Sequence, residues 1–453
     1  MKSEQHLAEF ICNVSYADLP PAVVAIAKNQ LLAALGGVLA GAYSEGCETL
    51  LAMAREEGGA PEATILVHGG KVPAQRAAFV NAAMARALDL CDSAAPGPHP
   101  GSAVIPAALA TAELVGGVGG ADFLAAVCVG TEVALRFNLG EAEYDGFDPT
   151  GVCVPFGVAA AAARILGLDA AQTANALALA FCRCGGTFQS MVDGALTVRV
   201  TQGWVSEAGV SCARLSQRGI TGPANFLEGH YGYPHLYGKD HITAQSIVAG
   251  LGTDYRAPRS LVFKKFPSCG VTQASTQLAL DLVAGGLEAA DVVRAQVTVP
   301  PYVYRLVGHP FEVGDNPRVN AQFSIRYCVA NALLRKSSRL VHFEEEAIRD
   351  PEVLRLVERI DVVADEALDK RGHSSADLRV WTTSGAELLR QADAGPGFPQ
   401  RPLAREDHLR RFNDCIAFAG RSPAAETTAA ILEAIDRLGD MPDVLALLPL
   451  FAA

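Results

Sequence analysis

The sequence predicts an α+β protein with a mostly α-helical large domain formed by both chain ends and a smaller inserted α+β domain. Three observations carry this reading. Alanine and leucine dominate a chain that is 50% hydrophobic but only 7% aromatic, a balance suited to packed helices. From Leu19 to about Ser216 the chain reads as a succession of apolar helical runs. Near residue 262 the character shifts to alternating stretches rich in Val and Thr. The 453 residues also exceed what one ordinary core holds.

Taken in order, Pro20 and Pro21 suit a first helical turn, and an apolar pattern follows from Val23 to Ala40. Further helices are expected at Ala74–Leu88, Ser102–Leu114, Ala121–Phe137, Val152–Leu166 and Ala170–Phe181, the last capped by Asp169. Several are apolar nearly all round, which marks helices buried within a bundle. Thr64–His68 reads as an isolated strand. Beyond residue 262, Ala290–Val303, Ile360–Ala364 and Leu378–Thr383 read as strands. Helices are expected at Ala321–Leu334, Phe343–Arg349 and Pro351–Glu358. Gly395–Pro402 is a proline-rich connector, after which Asp407–Ala419 and Ala424–Leu438 return to helix. The simplest division is a helical domain over 1–261 and 395–453, with the α+β domain over 262–394 inserted in it.

The formal net charge of -12 disfavours nucleic acid and anionic membranes as partners. An anionic substrate would therefore need a local cationic pocket. The first residues lack the pattern of a signal peptide, and the most apolar runs contain Arg164 or Glu113, so a cytoplasmic protein is expected. The eleven cysteines are odd in number and irregularly spaced, which argues for reduced thiols, and Cys182 and Cys184 are too close for the usual zinc or cluster pairing. No metal and no cofactor is expected.

Four segments concentrate polar residues in apolar surroundings. The first, ALDLCDSAAPGPHPGSAVIPAALA, places Asp89, Asp92, Ser93 and His99 in a Gly/Pro-rich loop between helices. A carboxylate near an imidazole can fix its tautomer and raise its basicity, although the same residues also serve as turn and capping groups. The second runs from YDGFDPTG into an alanine-rich helix, where Asp148 or Thr150 can cap. The third contains Arg199 beside an apolar stretch. The fourth, LVFKKFPSCGVTQAS, sets Lys264 and Lys265 at the domain junction, in a chain with only eight lysines.

In combination these segments resemble the MmgE/PrpD family, which includes 2-methylcitrate dehydratases, cis-aconitate decarboxylases and iminodisuccinate epimerases. The resemblance extends to the AQFSIRYCVANALL helix and to the late RRFNDC. It implies a helical domain, a smaller lid domain hinged near Leu261–Phe266 and Gly395–Pro402, a homodimer, and an active site at the junction. Asp89, Ser93 and His99 fall on the acid, hydroxyl and imidazole of the family's catalytic loop. Lys264 falls on the lysine of the lid hinge, and Tyr304 on the lid tyrosine.

Three positions depart from that pattern. Val198, followed by Arg199, stands where a lysine is usual, Asp148 where a histidine is common, and Cys269 where decarboxylases carry a histidine. The implied chemistry is removal of a proton alpha to a carboxylate of a small polycarboxylate or hydroxy acid. His99 would be the base or acid, oriented by Asp89. Lys264, Arg199, Lys265 and the polar groups Ser93, Asp148 and Cys269 would bind substrate, and Tyr304 would support a leaving hydroxyl. A dehydratase-type lyase comes first, an epimerase or isomerase next and a decarboxylase third. A binding or assembly protein without catalysis is the reading of another class. The missing lysine at Val198 implies a substrate with fewer carboxylates, or with an apolar group in place of one.

Overall fold

The computed structural model describes residues 1–451. Its longer helices are α1 Ser3–Asn13, α2 Pro21–Gly41, α3 Cys47–Glu57, α4 Ala74–Arg86, α5 Gly101–Leu114, α6 Gly120–Arg136, α7 Pro149–Ile165, α8 Ala170–Phe181 and α9 Thr197–Gln217. These are followed by α10 Gln273–Ala284, α11 Ile325–Arg335, α12 Arg405–Phe418 and α13 Ala425–Asp436. The strands are β1 Ala63–Thr64, β2 Lys71–Val72, β3 Asp92–Ala94, β4 Leu261–Phe263, β5 Val292–Val299, β6 Ile360–Ala364, β7 Ala376–Thr382 and β8 Glu387–Ala392. The chain is thus a mostly helical α+β protein.

Apolar side chains gather in two large clusters. One joins α1–α9 with α12 and α13, from Leu7 through Tyr255 and again from Phe412 to Phe451. The other lies within 271–380, where α10 and α11 cover a four-stranded sheet of order β6-β5-β7-β8. Strands β5 and β6 run parallel, and the remaining pairs are antiparallel.

The helices apolar on all sides are interior, as their composition requires. Every residue of α7 from Pro149 to Ala163 is buried, and so is α5 from Gly101 to Ala112. Helix α8 starts at the expected cap: the Asp169 carboxylate accepts from the Gln172 amide at 2.8 Å, and the Gln172 side chain accepts from the Asp169 amide. Of the described helices only α2 is long and apolar enough to cross a membrane, and 67% of its most apolar window is buried within the protein.

Small residues set how closely these helices approach. A Cβ added to Gly157 of α7 would lie 2.3 Å from the Gly130 carbonyl of α6, and one on Gly130 would lie 2.8 Å from the Gly157 carbonyl. Because backbone cannot yield as a side chain can, Gly157→Ala must push α6 and α7 apart. We expect it to cost about 1–3 kcal/mol in urea unfolding. An unchanged midpoint would show that the crossing tolerates the methyl group.

Several expected boundaries are corrected. The strand read over Ala290–Val303 ends at Val299, because Pro300 and Pro301 have no N–H for the ladder, and Pro301–Val307 is helical. The helix read over Ala321–Leu334 breaks at Phe323–Ser324, where the Ser324 hydroxyl caps α11 by accepting from the Tyr327 amide at 3.2 Å. The isolated strand at Thr64–His68 is instead the two-residue β1, paired with β2. Helices α1, α3, α9 and α10 and edge strand β8 had not been delimited. The charged, exposed sequence ELLRQA of β8 hides its strand character.

The two connectors near the middle of the chain touch. The Phe263 amide of β4 donates to the Gly397 carbonyl at 3.0 Å. A Cβ on Gly397, whose φ is 90°, would lie 1.8 Å from the Phe263 carbonyl oxygen, so only glycine fits. Strand β4 in turn pairs antiparallel with β3, matching Ser93 to Val262, which ties this connector to the His99 loop.

Candidate active site

The loop between α4 and α5 is built from buried anchors. Helix α4 ends at Arg86, and Asp89 follows with φ 52°, a left-handed conformation that turns the chain sharply out of the helix. The Asp92 carboxylate accepts from the Gly101 amide at the start of α5 at 3.0 Å and from Gln30 Nε2 of α2 at 2.8 Å. Arg411 of α12 donates to the Leu90 carbonyl at 2.6 Å, and Gln322 donates to the Leu88 carbonyl at 2.7 Å. These two residues lie in the RRFNDC and AQFSIRY motifs, so those motifs hold the loop from outside.

His99 is fixed on three sides. Its amide donates to Thr150 Oγ1 at 3.1 Å, and its carbonyl accepts from Gln202 of α9 at 2.7 Å. Its Nδ1 lies 2.8 Å from the Asp92 carbonyl oxygen, which can only accept. Nδ1 therefore carries the ring proton and Nε2 the lone pair, which faces Arg86 Nη2 at 3.4 Å. Burial, with Arg86 and Lys264 nearby, pushes the His99 pKa well below 6.5, so the ring is neutral at ordinary pH.

The orientation of His99 corrects one expectation. Asp89 does not hold the imidazole; the Asp92 carbonyl does. The Asp89 Oδ1 atom instead accepts from Lys264 Nζ at 2.7 Å and from Arg86 Nη1, and all three side chains are at most 2% exposed. The other Asp89 oxygen is buried without a partner.

These groups line one cavity. Arg86, Asp89, Ser93, His99, Lys264 and Cys269 are on its wall, with Phe188, Met191, Val262, Val271, Leu306 and Phe323 supplying much of the rest. His373 stands on the wall as well and pairs with Glu141, and its ring lies 5.0 Å from that of Tyr302, whose hydroxyl donates to the Pro96 carbonyl. The structure thus brings together Asp89, Ser93, His99, Lys264 and Cys269.

It does not bring the other expected residues to this wall. Arg199 points away and donates to the Glu45 carbonyl at 2.6 Å, and its buried neighbour Val198 is not on the wall either. Lys265 bonds Gln277 at 3.2 Å and is not on the wall that Lys264 lines. Tyr304 packs near His309, and no tyrosine is on this wall; Tyr302 stands behind it, with its hydroxyl on the Pro96 carbonyl. Asp148 lies behind His99 as the cap of α7, accepting from the Thr150 amide at 2.9 Å.

Sequence reasoning missed Arg86 and His373. An arginine spaced three residues before an aspartate, at the end of an alanine-rich helix, was the available signal for the first. His373, flanked by Gly372 and Ser374 in a loop, offered none. Among the described residues no three His, Cys, Asp or Glu side chains converge as a metal-ligand set.

Burial raises the Asp148 pKa from 3.8 to about 6. A group whose folded pKa is raised gives its full stability below the unfolded value and loses it as pH climbs through the folded one. Asp148→Asn keeps the cap but removes the buried charge. It should match wild type near pH 4 and be more stable by about 3 kcal/mol well above pH 6. Equal thermal midpoints at pH 8 would show that the charge is compensated.

The sequence matches the MmgE/PrpD N-terminal domain over residues 5–245 and the MmgE/PrpD C-terminal domain over 266–437. A cis-aconitate decarboxylase of Homo sapiens is 26% identical over 386 residues, covering 82% of this chain and 78% of the relative. Its counterpart in Mus musculus is 24% identical over 394 residues, with 82% and 77% covered. The cis-aconitate decarboxylase-like protein oryM of Aspergillus oryzae is 22% identical over 475 residues, with 98% and 96% covered.

Proposed function

The chain belongs to the MmgE/PrpD family, and on that premise we propose that it is a lyase that removes a proton alpha to a carboxylate and then expels a beta substituent. The observation that carries this reading is the His99 tautomer: Nε2, free of the ring proton, faces the cavity wall occupied by Arg86 and Lys264. In this mechanism a substrate carboxylate lies against Arg86 and Lys264. His99 Nε2 takes the alpha proton, and the two cations stabilise the enediolate that forms. Collapse of the enediolate breaks the bond to a beta hydroxyl, which leaves as water with a proton from the imidazolium. The products are an alpha,beta-unsaturated acid and water.

Decarboxylation is the second reading, and the names of the mammalian relatives favour it. There the bond to a carboxylate breaks, carbon dioxide leaves, and a proton from solvent, relayed through the neutral His99, quenches the carbanion. Reprotonation of the enediolate on its other face would give an epimerase. The loop and α5 would form the floor of the site, and Lys264, Leu306, Phe323 and His373 a lid across it. A homodimer belongs to the same reading, and light scattering at micromolar concentration tests it.

The central test is incubation with hydroxy- and unsaturated carboxylates in heavy water, followed by mass spectrometry. Label at the alpha carbon with loss of water supports the dehydratase, and release of carbon dioxide selects the decarboxylase. A folded protein that labels none of them and still binds carboxylates is a binding protein instead.

A further inference from the structure

We propose that the preferred substrate is a carboxylate with one anionic end and an apolar body, and not a tricarboxylate. This inference rests on the lyase reading and names its substrate class. The first ground is the charge of the cavity. Its wall holds two firm cations, Arg86 and Lys264, and both share the single carboxylate of Asp89, so one positive charge is left over. The neighbouring His99 is neutral, and His373 is paired with the Glu141 carboxylate. Arg199 and Lys265, the further cations that a polyanion would need, are engaged elsewhere with Glu45 and Gln277.

The second ground is the remainder of the wall. Val262, Val271, Leu306 and Phe323 offer no donor side chain to a second or third carboxylate, and an ion buried against them would lose its hydration uncompensated. The third is the adjoining opening, which shares Met191, Leu306 and Phe323 with the cavity. It carries Asp193, Glu312 and Asp315 against one histidine, His309. A polyanion reaching out through it would meet like charges, whereas an apolar chain lies along Leu306 and Phe323 without penalty.

The test is calorimetric titration of the wild-type protein with hexanoate and with tricarballylate (propane-1,2,3-tricarboxylate), beside heavy-water exchange on 3-hydroxyhexanoate and citrate. Hexanoate should bind at least tenfold more tightly, and 3-hydroxyhexanoate should exchange at least 100-fold faster than citrate. Leu306→Lys, which adds a cation to the apolar wall, should narrow or reverse the binding ratio. If that variant does not fold, the wild-type ratio decides alone. Tricarballylate binding equal to or tighter than hexanoate overturns the proposal whatever the exchange assay gives. Absence of exchange from every acid, with hexanoate still bound more tightly, overturns the lyase reading and leaves the preference for an apolar body in place.

Discussion

His99→Ala is expected to lower kcat/KM at least 100-fold while the protein stays folded. General acid–base catalysis contributes about 10²- to 10⁴-fold, and His99 is a neutral base on the cavity wall whose Nε2 lone pair faces Arg86. The fold should survive because the residue's backbone anchors, to Thr150 and Gln202, do not involve the ring. The lost contact is that from Nδ1 to the Asp92 carbonyl, and leaving one buried acceptor bare costs about 1–3 kcal/mol. The pH dependence sharpens the expectation. The His99 pKa is pushed well below 6.5 by burial, Arg86 and Lys264, so the base form persists through that range. The kcat/KM profile should be flat between pH 6 and 7, with its acid limb lower. A bound carboxylate offsets the two cations, so the corresponding limb in kcat should lie at higher pH. Near-wild-type turnover by folded His99→Ala would end the assignment. A limb at pH 6.5 that survives the substitution would assign the titration to another group.

The helical half of this fold was legible because its cause is local. Runs such as those of α5 and α7 are apolar on every side, and such a helix can only be interior. The capping pair Asp169 and Gln172 likewise declares itself within four residues. Elements whose sequence mixes polar and apolar residues for tertiary reasons were harder. Strand β8 is an exposed edge, and helix α9, although 21 residues long, must present Arg199 to Glu45 and Gln202 to His99 from one buried side. The site divides in the same way. His99, Asp89 and Ser93 share one loop and could be read together, and Lys264 was placed by motif. What sequence order could not give is direction. Neighbouring residues diverge, so Lys264 lines the cavity and Lys265 does not, and neither Tyr302 nor Tyr304 is on the wall. The tautomer of His99 is set by a backbone carbonyl, and no pattern of side chains announces a carbonyl.

Lys264→Met and Asp89→Ala should fail in opposite ways. One Asp89 oxygen holds both Lys264, at 2.7 Å, and Arg86, and none of the three side chains is more than 2% exposed. Removing Lys264 leaves the Arg86–Asp89 pair neutral and intact, so the fold should be kept. The cavity then loses its surplus positive charge, together with half of what stabilises an enediolate, and kcat/KM should fall at least 100-fold. Removing Asp89 leaves two buried cations facing each other without a counterion. Breaking a buried pair in this way costs about 3–5 kcal/mol, which urea unfolding will register. The double variant separates charge balance from local packing. With Lys264 gone there is one uncompensated cation and no mutual repulsion, so Asp89→Ala/Lys264→Met should be more stable than Asp89→Ala alone, by more than about 1 kcal/mol, yet remain as inactive as Lys264→Met. If the two stability losses simply add to within about 0.5 kcal/mol, the carboxylate does not bind the two cations as one unit. The cavity would then hold no surplus charge tied to Lys264, and the carboxylate-binding role given to this lysine would fail with it.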